Sequence, residues 1–414
     1  MEPAVETFRK RLQLPWLVEG QEAFLTQFEE ALKRIQNMDT PIIIEDDDQV
    51  TCLARAFAAL ATGCPAFLAN SQWQASELAQ LNALDLSQAE LGHLMIPTGG
   101  TGGRIKFAMH TWESLCAAVE GYAAFYQASP VNCWCTLPLY HVSGLMQALR
   151  SFTTDGQLVL TDYRKLEAHP QLDRSTFHLS LVPTQLKRIL ESEGGADWLR
   201  GFGLILIGGA GLSQELAAKA SDQQLPLSTS YGMTETAAVI AAQKPADFLA
   251  GYAPAGQLLP HASAAIFDGE VILRGRSLFR GYFPAAPHAC SSLATGDEGE
   301  LDADGRLLIH GRLDRFINTG GEKVDPRIVE AAIRQRQPEV GVLVVGQPDA
   351  DWGERVTAIV SGLSPDQLPK LRQGLRAALQ PHMLPRSWHL TDQLPLRPNG
   401  KIDPVALARC LESN

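Results

Sequence analysis

Cysteine is scarce and scattered. The 7 residues, at positions 52, 64, 116, 133, 135, 290 and 410, form an odd set without regular spacing, which excludes a disulfide framework and fits a reducing compartment. No second ligand pair accompanies Cys133 and Cys135, and no H-E-x-x-H stretch occurs, so no zinc site is expected. Apolar runs are short. None approaches the roughly 20 residues of a membrane helix, and Leu204–Ile207 is only strand-sized. Acidic residues stand in Met1-Glu2-Pro3-Ala4-Val5-Glu6 where a secretory leader needs basic ones, so a cytoplasmic protein without stable membrane insertion is expected. Positive charge is also in deficit: 35 Lys+Arg against 46 Asp+Glu leave −11, a field that repels phosphate backbones, so nucleic acid is not an expected partner. Neither a Walker loop nor G-x-G-x-x-G is present, which disfavours a P-loop kinase or ATPase and a dinucleotide fold.

What is there reads as an ordinary folded chain. The 414 residues are 45% hydrophobic and 20% charged, with 35 Gly and 25 Pro dispersed rather than clustered. At roughly 150 residues per domain the length predicts two or three domains. Phe24, Phe28, Leu32 and Ile35 recur at helical spacing from about residue 18. Short apolar runs at 42–44, 66–68, 133–137, 158–160, 179–182 and 204–207 then alternate with helical stretches, the pattern of a parallel or mixed α/β sheet covered on both faces. From about 236 to 312 the texture becomes short strands with turn signals, as in 264–267, Asp268-Gly269, 271–273. A helix near Pro326, strands at 341–345 and 356–360 and a helix near 365–379 follow. The expected architecture is α/β: an N-terminal domain over 1–312 with a β-rich subdomain, and a small, mobile α+β C-terminal domain over 313–414, the boundary near Asp314.

Six stretches carry chemistry. Thr98, Gly99, Gly100, Thr101, Gly102, Gly103, Arg104, Ile105 and Lys106 follow a short apolar segment. Exposed main-chain N–H groups, two hydroxyls and two cations make an anion cradle suited to phosphate; a flexible glycine turn is the other reading. Ser230 to Thr236 (Ser-Tyr-Gly-Met-Thr-Glu-Thr) sits where a strand at 225–229 would end, the side of an open α/β sheet that ligands occupy. Glu235 there would hold Mg²⁺ on a nucleotide, or the stretch is a simple turn. Asp297, in Thr295-Gly296-Asp297, and Arg312, in Gly311-Arg312-Leu313-Asp314, bracket a hairpin, either as ribose ligands or as an ion pair. Residues 318–324 (Asn-Thr-Gly-Gly-Glu-Lys-Val) and 397–402 (Arg-Pro-Asn-Gly-Lys-Ile) are glycine loops bearing a lysine, able to enter a site for one step and leave.

Together and in this order, these stretches resemble the adenylate-forming superfamily of acyl-CoA synthetases, luciferases and peptide-synthetase adenylation domains. Residues 98–106 look like its phosphate loop, 231–235 its Tyr-Gly-x-Thr-Glu signature, 295–297 its Thr-Gly-Asp, 311–314 its hinge, 320–323 its Gly-Gly-Glu-Lys loop and Gly400-Lys401 its C-terminal lysine motif. Residues 107–112, 137–145 (Leu-Pro-Leu-Tyr-His-Val-Ser-Gly-Leu) and 180–186 look most like the 2-succinylbenzoate–CoA ligases of menaquinone and phylloquinone synthesis. Two departures stand out: the region before the phosphate loop is short, and Ile105 replaces the usual Pro.

The resemblance implies two steps. A carboxylate attacks the α-phosphorus of ATP, giving acyl-adenylate and pyrophosphate, and the thiol of CoA then displaces AMP. It implies ATP, Mg²⁺ and CoA as cofactor and co-substrates. Catalytic roles fall to Lys401, Thr234, Glu235 and His141, with Glu235 the metal ligand. Nucleotide contacts fall to residues 98–103, Lys106, Gly209, Ala210, Tyr231, Gly232, Asp297 and Arg312. Asp314 is the implied hinge, Gly320, Gly321 and Lys323 meet CoA, and His141, Ser143, Thr184 and Gln185 approach the acyl group. The alternatives are another acyl- or aryl-CoA ligase, or an enzyme loading a carrier protein in trans. The chain ends about ten residues beyond the lysine motif, so no fused carrier is expected.

Overall fold

The computed structural model describes residues 5–36, 40–46, 48–73, 75–98, 105–165, 171–251, 255–320, 322–397 and 402–412, and is of mixed α/β class. The chain divides into two compact units: Met1–Thr295 with Glu300–Ile309, and Gly296–Gly299 with His310–Asn414. The division falls inside the strands Leu293–Leu301 and Leu307–Arg312.

In the first unit, helix Gln21–Ile35 forms where the aromatic periodicity runs. Phe24, Phe28, Leu32 and Ile35 are buried, with Glu22 in the first turn and Lys33 and Arg34 in the last, each sign matching the helix dipole. Strands Ile42–Ile44, Ala66–Leu68 and His93–Thr98 pair in parallel, then His93–Thr98 pairs antiparallel with Lys106–Thr111, and that with Tyr282–Phe283. The short N-terminal region therefore still builds a sheet.

A second sheet carries the chemistry. Its parallel half runs Leu158–Leu160, Asn132–Cys135, Phe177–Leu181, Leu204–Ile207, Leu227–Met233. Leu204–Ile207 is buried throughout, as an apolar run covered on both faces requires. Ala238–Ala242 and Ala255–Leu258 continue it antiparallel, and the hairpin Ala262–Phe267 and Glu270–Gly275 turns at Asp268-Gly269. The strand expected to end at 229 instead continues to Met233. Its last residues pair antiparallel with Ala238–Ala242, at a spacing that only glycine permits: a Cβ on Gly232 would stand 1.9 Å from the Ala238 carbonyl oxygen. The run at 133–137 ends as a strand at Cys135, where Leu137 and Pro138 begin a turn.

In the second unit, strands Gly341–Asp349 and Gly353–Ser361 form an antiparallel ladder, extended by Ser387–Thr391 and Ile317–Thr319. Helices Pro326–Arg336 and Leu368–Arg376 bury Val329, Ile333, Leu371 and Leu375 in this unit's core. All 7 cysteines are free thiols. Burial pushes Cys52, Cys116 and Cys135 up to about 12, and raises Cys64, Cys133, Cys290 and Cys410 as well. Among the described residues no helix is long and apolar enough to cross a membrane.

Candidate active site

Four successive turns stand beyond the carboxyl ends of adjacent parallel strands, the ligand side of an open sheet. The first follows Asn132–Cys135. A Cβ on Gly144 would meet the Pro138 carbonyl oxygen at 2.2 Å, so Leu-Pro-Leu-Tyr-His-Val-Ser-Gly closes on itself only with glycine there. Helix Val142–Thr153 starts from His141, whose half-buried ring packs edge-on to Tyr140 at 4.7 Å. Ser143 lies exposed in the first turn of this helix. The second turn opens helix Pro183–Glu191 with Pro183 at its first position. Gln185 Oε1 accepts from the Val182 N–H at 3.1 Å, so this side chain caps its own helix, while Thr184 is exposed. The third turn contains Gly209 and Ala210, both exposed after Leu204–Ile207.

The fourth is the Thr234–Thr236 turn, beside the tip of the strand that carries Tyr231 and Gly232. It packs against the hairpin of His93–Thr98 and Lys106–Thr111. Thr98 and Lys106 face each other across that hairpin's open end. The loop between them, with Gly99, Gly100, Thr101, Gly102 and Gly103, lies outside the described residues. Ile105, in the place of proline, donates its N–H to Gln80 Oε1 at 2.9 Å, a bond proline could not make.

Three residues were given no role from the sequence, and the first two organise this corner. His110, fully buried, reaches the Thr234 carbonyl with Nε2 at 2.7 Å and Ser114 Oγ with Nδ1 at 3.0 Å. A carbonyl only accepts, so Nε2 carries the proton. Burial pushes the ring down to about 4, against the opposing pull of that carbonyl, and leaves it neutral at pH 7. Tyr282 donates its phenol to Glu235 Oε1 at 2.6 Å, and its ring lies 5.4 Å from Lys106 Nζ. Glu235 is half-buried, and its main-chain carbonyl accepts from Phe279 N at 2.9 Å. Among the described residues Glu235 Oε2 and the Thr234 hydroxyl have no hydrogen-bond partner, so two hard oxygen donors stand open, as a magnesium ion on phosphates requires.

The third is Arg150, two turns along the helix from His141 and 3% exposed. Its guanidinium carbon stands 3.8 Å from the centroid of the Tyr122 ring, and the Tyr122 hydroxyl meets His178 Nδ1 at 3.0 Å. Arg150 Nε, Gln147 Oε1 and both ring nitrogens of His261 are buried without partners. Among the described residues no carboxylate lies within ion-pair distance of Arg150. The sequence signal was a lone charge in the otherwise uncharged stretch 144–152; for His110 it was a histidine within an apolar strand. Tyr282 had no signal beyond an aromatic pair between Gly281 and Pro284.

In the second unit Asp297 is buried and pairs with Arg312 at 3.5 Å, the two hairpin residues expected together. Asp314 lies in the Leu313–Arg315 turn, with its side chain outside the described residues. Next to it Arg315 reaches Glu330 at 3.8 Å, and Glu330 Oε1 accepts from Val344 N at 3.0 Å. Gly320 turns with φ 61° against Trp352 and donates its N–H to the Trp352 carbonyl at 2.8 Å. Gly321, the Lys323 side chain and the whole of Lys401 lie outside the described residues.

The family model for AMP-binding enzymes matches residues 92–283, and that for the AMP-binding enzyme C-terminal domain matches 328–401. The chain belongs to the AMP-binding enzymes. Relatives within this family include the 2-succinylbenzoate–CoA ligases of Listeria monocytogenes, 29% identical over 83% of this chain and 74% of that one, and Salmonella typhimurium, 33% identical over 71% and 63%. The same architecture occurs in solved structures. The o-succinylbenzoate CoA synthetase of Bacillus subtilis, in complex with its acyl-adenylate intermediate, superposes with a TM-score of 0.82 at 22% identity, covering 97% of each chain. ATP-bound MatB from Rhodopseudomonas palustris gives 0.82 at 20% identity, covering 100% of this chain and 99% of that one.

Proposed function

We propose that the chain is an AMP-forming carboxylate–CoA ligase acting in the cytoplasm, and that its acid is 2-succinylbenzoate, a precursor in menaquinone and phylloquinone synthesis. The relatives' shared activity supports the reaction class. The observation that carries the substrate is the buried Arg150. Burying an unpaired ion costs several kcal/mol, and stacking on Tyr122 returns only about 2 kcal/mol when desolvated. The deficit is best explained by an anion that arrives with the substrate. From His141 to Arg150 the helix advances roughly 13 Å at 1.5 Å per residue, a span that an aromatic diacid and the arginine side chain bridge together.

In the first step a substrate carboxylate oxygen bonds to the α-phosphorus as its bond to the pyrophosphate oxygen breaks. In the second the CoA sulfur bonds to the acyl carbon and AMP leaves. In-line attack needs neutralised phosphate oxygens and an aligned nucleophile more than covalent help. Lys106 and the main-chain N–H groups of 99–103 bind phosphate oxygens. When bound, magnesium neutralises phosphate charge, and Glu235 and Thr234 are the residues that would hold it. Tyr231, Gly232, Gly209 and Ala210 frame the nucleotide, and Asp297 and Arg312 take the ribose hydroxyls. Lys401 bridges the carboxylate and α-phosphate in the first step. Rotation about Asp314 then withdraws it and brings Gly320, Gly321 and Lys323 to the pantetheine arm.

The test compares 2-succinylbenzoate, benzoate and octanoate in CoA thioester formation by the purified protein. Preference for the diacid is expected. Preference for either monoacid would reject the substrate and leave the adenylating chemistry standing.

A further inference from the structure

Tyr282 belongs to none of the motifs read from the sequence, yet it touches the two charged groups on which the proposed adenylation turns. Its strand pairs with Lys106–Thr111, Tyr282 opposite Ala108 and Phe283 opposite Phe107. Met109 N donates to the Gly281 carbonyl at 3.0 Å and Arg280 N to the Met109 carbonyl at 2.7 Å, so main-chain bonds on both sides of the residue fix where it points. Phe279 packs edge-on against the ring at 4.8 Å. From this mount the phenol reaches Glu235 Oε1 and the ring meets the Lys106 ammonium.

Opposite charges on either side of one ring ordinarily close on each other. Here they do not: among the described residues Lys106 has no carboxylate within ion-pair distance, and the Glu235 carboxylate has only the phenol. We propose that Tyr282 is a positioning residue that holds Lys106 and Glu235 apart, each charged and open, keeping the lysine for the phosphate oxygens of ATP and the carboxylate for magnesium. The proposal rests on the function given to those two residues above. The phenol supplies a short, charge-assisted hydrogen bond that orients the carboxylate and takes one oxygen while leaving Oε2 open. The ring face gives the ammonium a neutral resting partner, weaker than an ion pair and readily exchanged for phosphate.

The two contacts separate by substitution. Tyr282→Phe keeps the ring beside Lys106 and removes the donor to Glu235. Tyr282→Leu removes both and lets the lysine reach the carboxylate. The experiment measures the magnesium concentration that half-saturates acid-dependent ATP–pyrophosphate exchange. It also measures, by calorimetry on the resting protein, the Kd for ATP with and without magnesium. Tyr282→Phe is expected to raise half-saturating magnesium about tenfold, the usual scale for a lost hydrogen bond to a charged group, with the magnesium-free Kd unchanged. Tyr282→Leu is expected to weaken ATP binding in both conditions. Thioester formation from supplied acyl-adenylate, which uses no ATP, stays at the wild-type rate in both variants. Unchanged magnesium dependence in Tyr282→Phe overturns the proposal, as does an equal loss in both half-reactions that tracks a lower melting temperature. Absence of exchange in the wild-type protein with every acid tried would instead reject the ligase reading itself.

Discussion

His110 and Thr234, 124 positions apart in the chain, are joined by one hydrogen bond of 2.7 Å from an imidazole to a main-chain carbonyl. The strand Lys106–Thr111 thereby holds the turn that carries Glu235. Because burial keeps the ring neutral, the link is a fixed donor rather than a charge that comes and goes near neutrality.

His110→Ala should be costly on two counts. It leaves the Thr234 carbonyl without its donor and opens a cavity in a buried site, together about 2–4 kcal/mol. Urea unfolding should show that loss, and ATP–pyrophosphate exchange should fall further than thioester formation from supplied acyl-adenylate, since the displaced turn serves the nucleotide step.

Lys401→Ala should reduce adenylation at least about a hundredfold, as loss of a transition-state charge partner does, while the thioester-forming half-reaction survives. Single-turnover measurements of each half-reaction decide it. Equal losses in both would reject the assignment of Lys401 to the first step alone.

Arg150→Met replaces a buried cation by an apolar side chain of similar length. Stability should hold or rise, because the unpaired charge is removed. The kcat/KM for 2-succinylbenzoate should drop about a hundredfold or more, and that for benzoate should change little. A large loss of melting temperature with no change in the ratio of the two acids would assign Arg150 to the core instead.

Acid should unfold the first unit early. Burial pushes both His178 and His261 down to about 4, below the ordinary value of 6.5, so each is neutral in the fold and binds a proton more readily when unfolded. The stability each contributes is complete above pH 6.5 and is lost as pH falls through the window down to about 4. Urea midpoints at pH 7, 6 and 5 should decline steadily, and His178→Gln should flatten that decline by up to about 1.4 kcal/mol per pH unit.

The architecture was legible because parallel strands buried on both faces must be apolar runs, and Leu204–Ile207 and Ala66–Leu68 are just that. The signature turn was legible because its residue types are unusual together. The strand end at Met233 was not, since it depends on how closely the Ala238 carbonyl approaches Gly232. Ser143 and Gln185 looked available for substrate because their types suit it. Their local settings, Ser143 exposed in the first turn of Val142–Thr153 and Gln185 accepting from the Val182 N–H, depend on where each helix begins. His110, Tyr282 and Arg150 act through partners distant in sequence, and nothing local announces such pairings.

The buried thiols matter for an enzyme whose proposed product is an activated ester of sulfur. Acyl transfer from CoA to a cysteine runs through its thiolate, and a thiol pushed up to about 12 carries very little thiolate at pH 7. With the remaining four thiols also raised, the cysteines of the protein are poor acceptors of its own product.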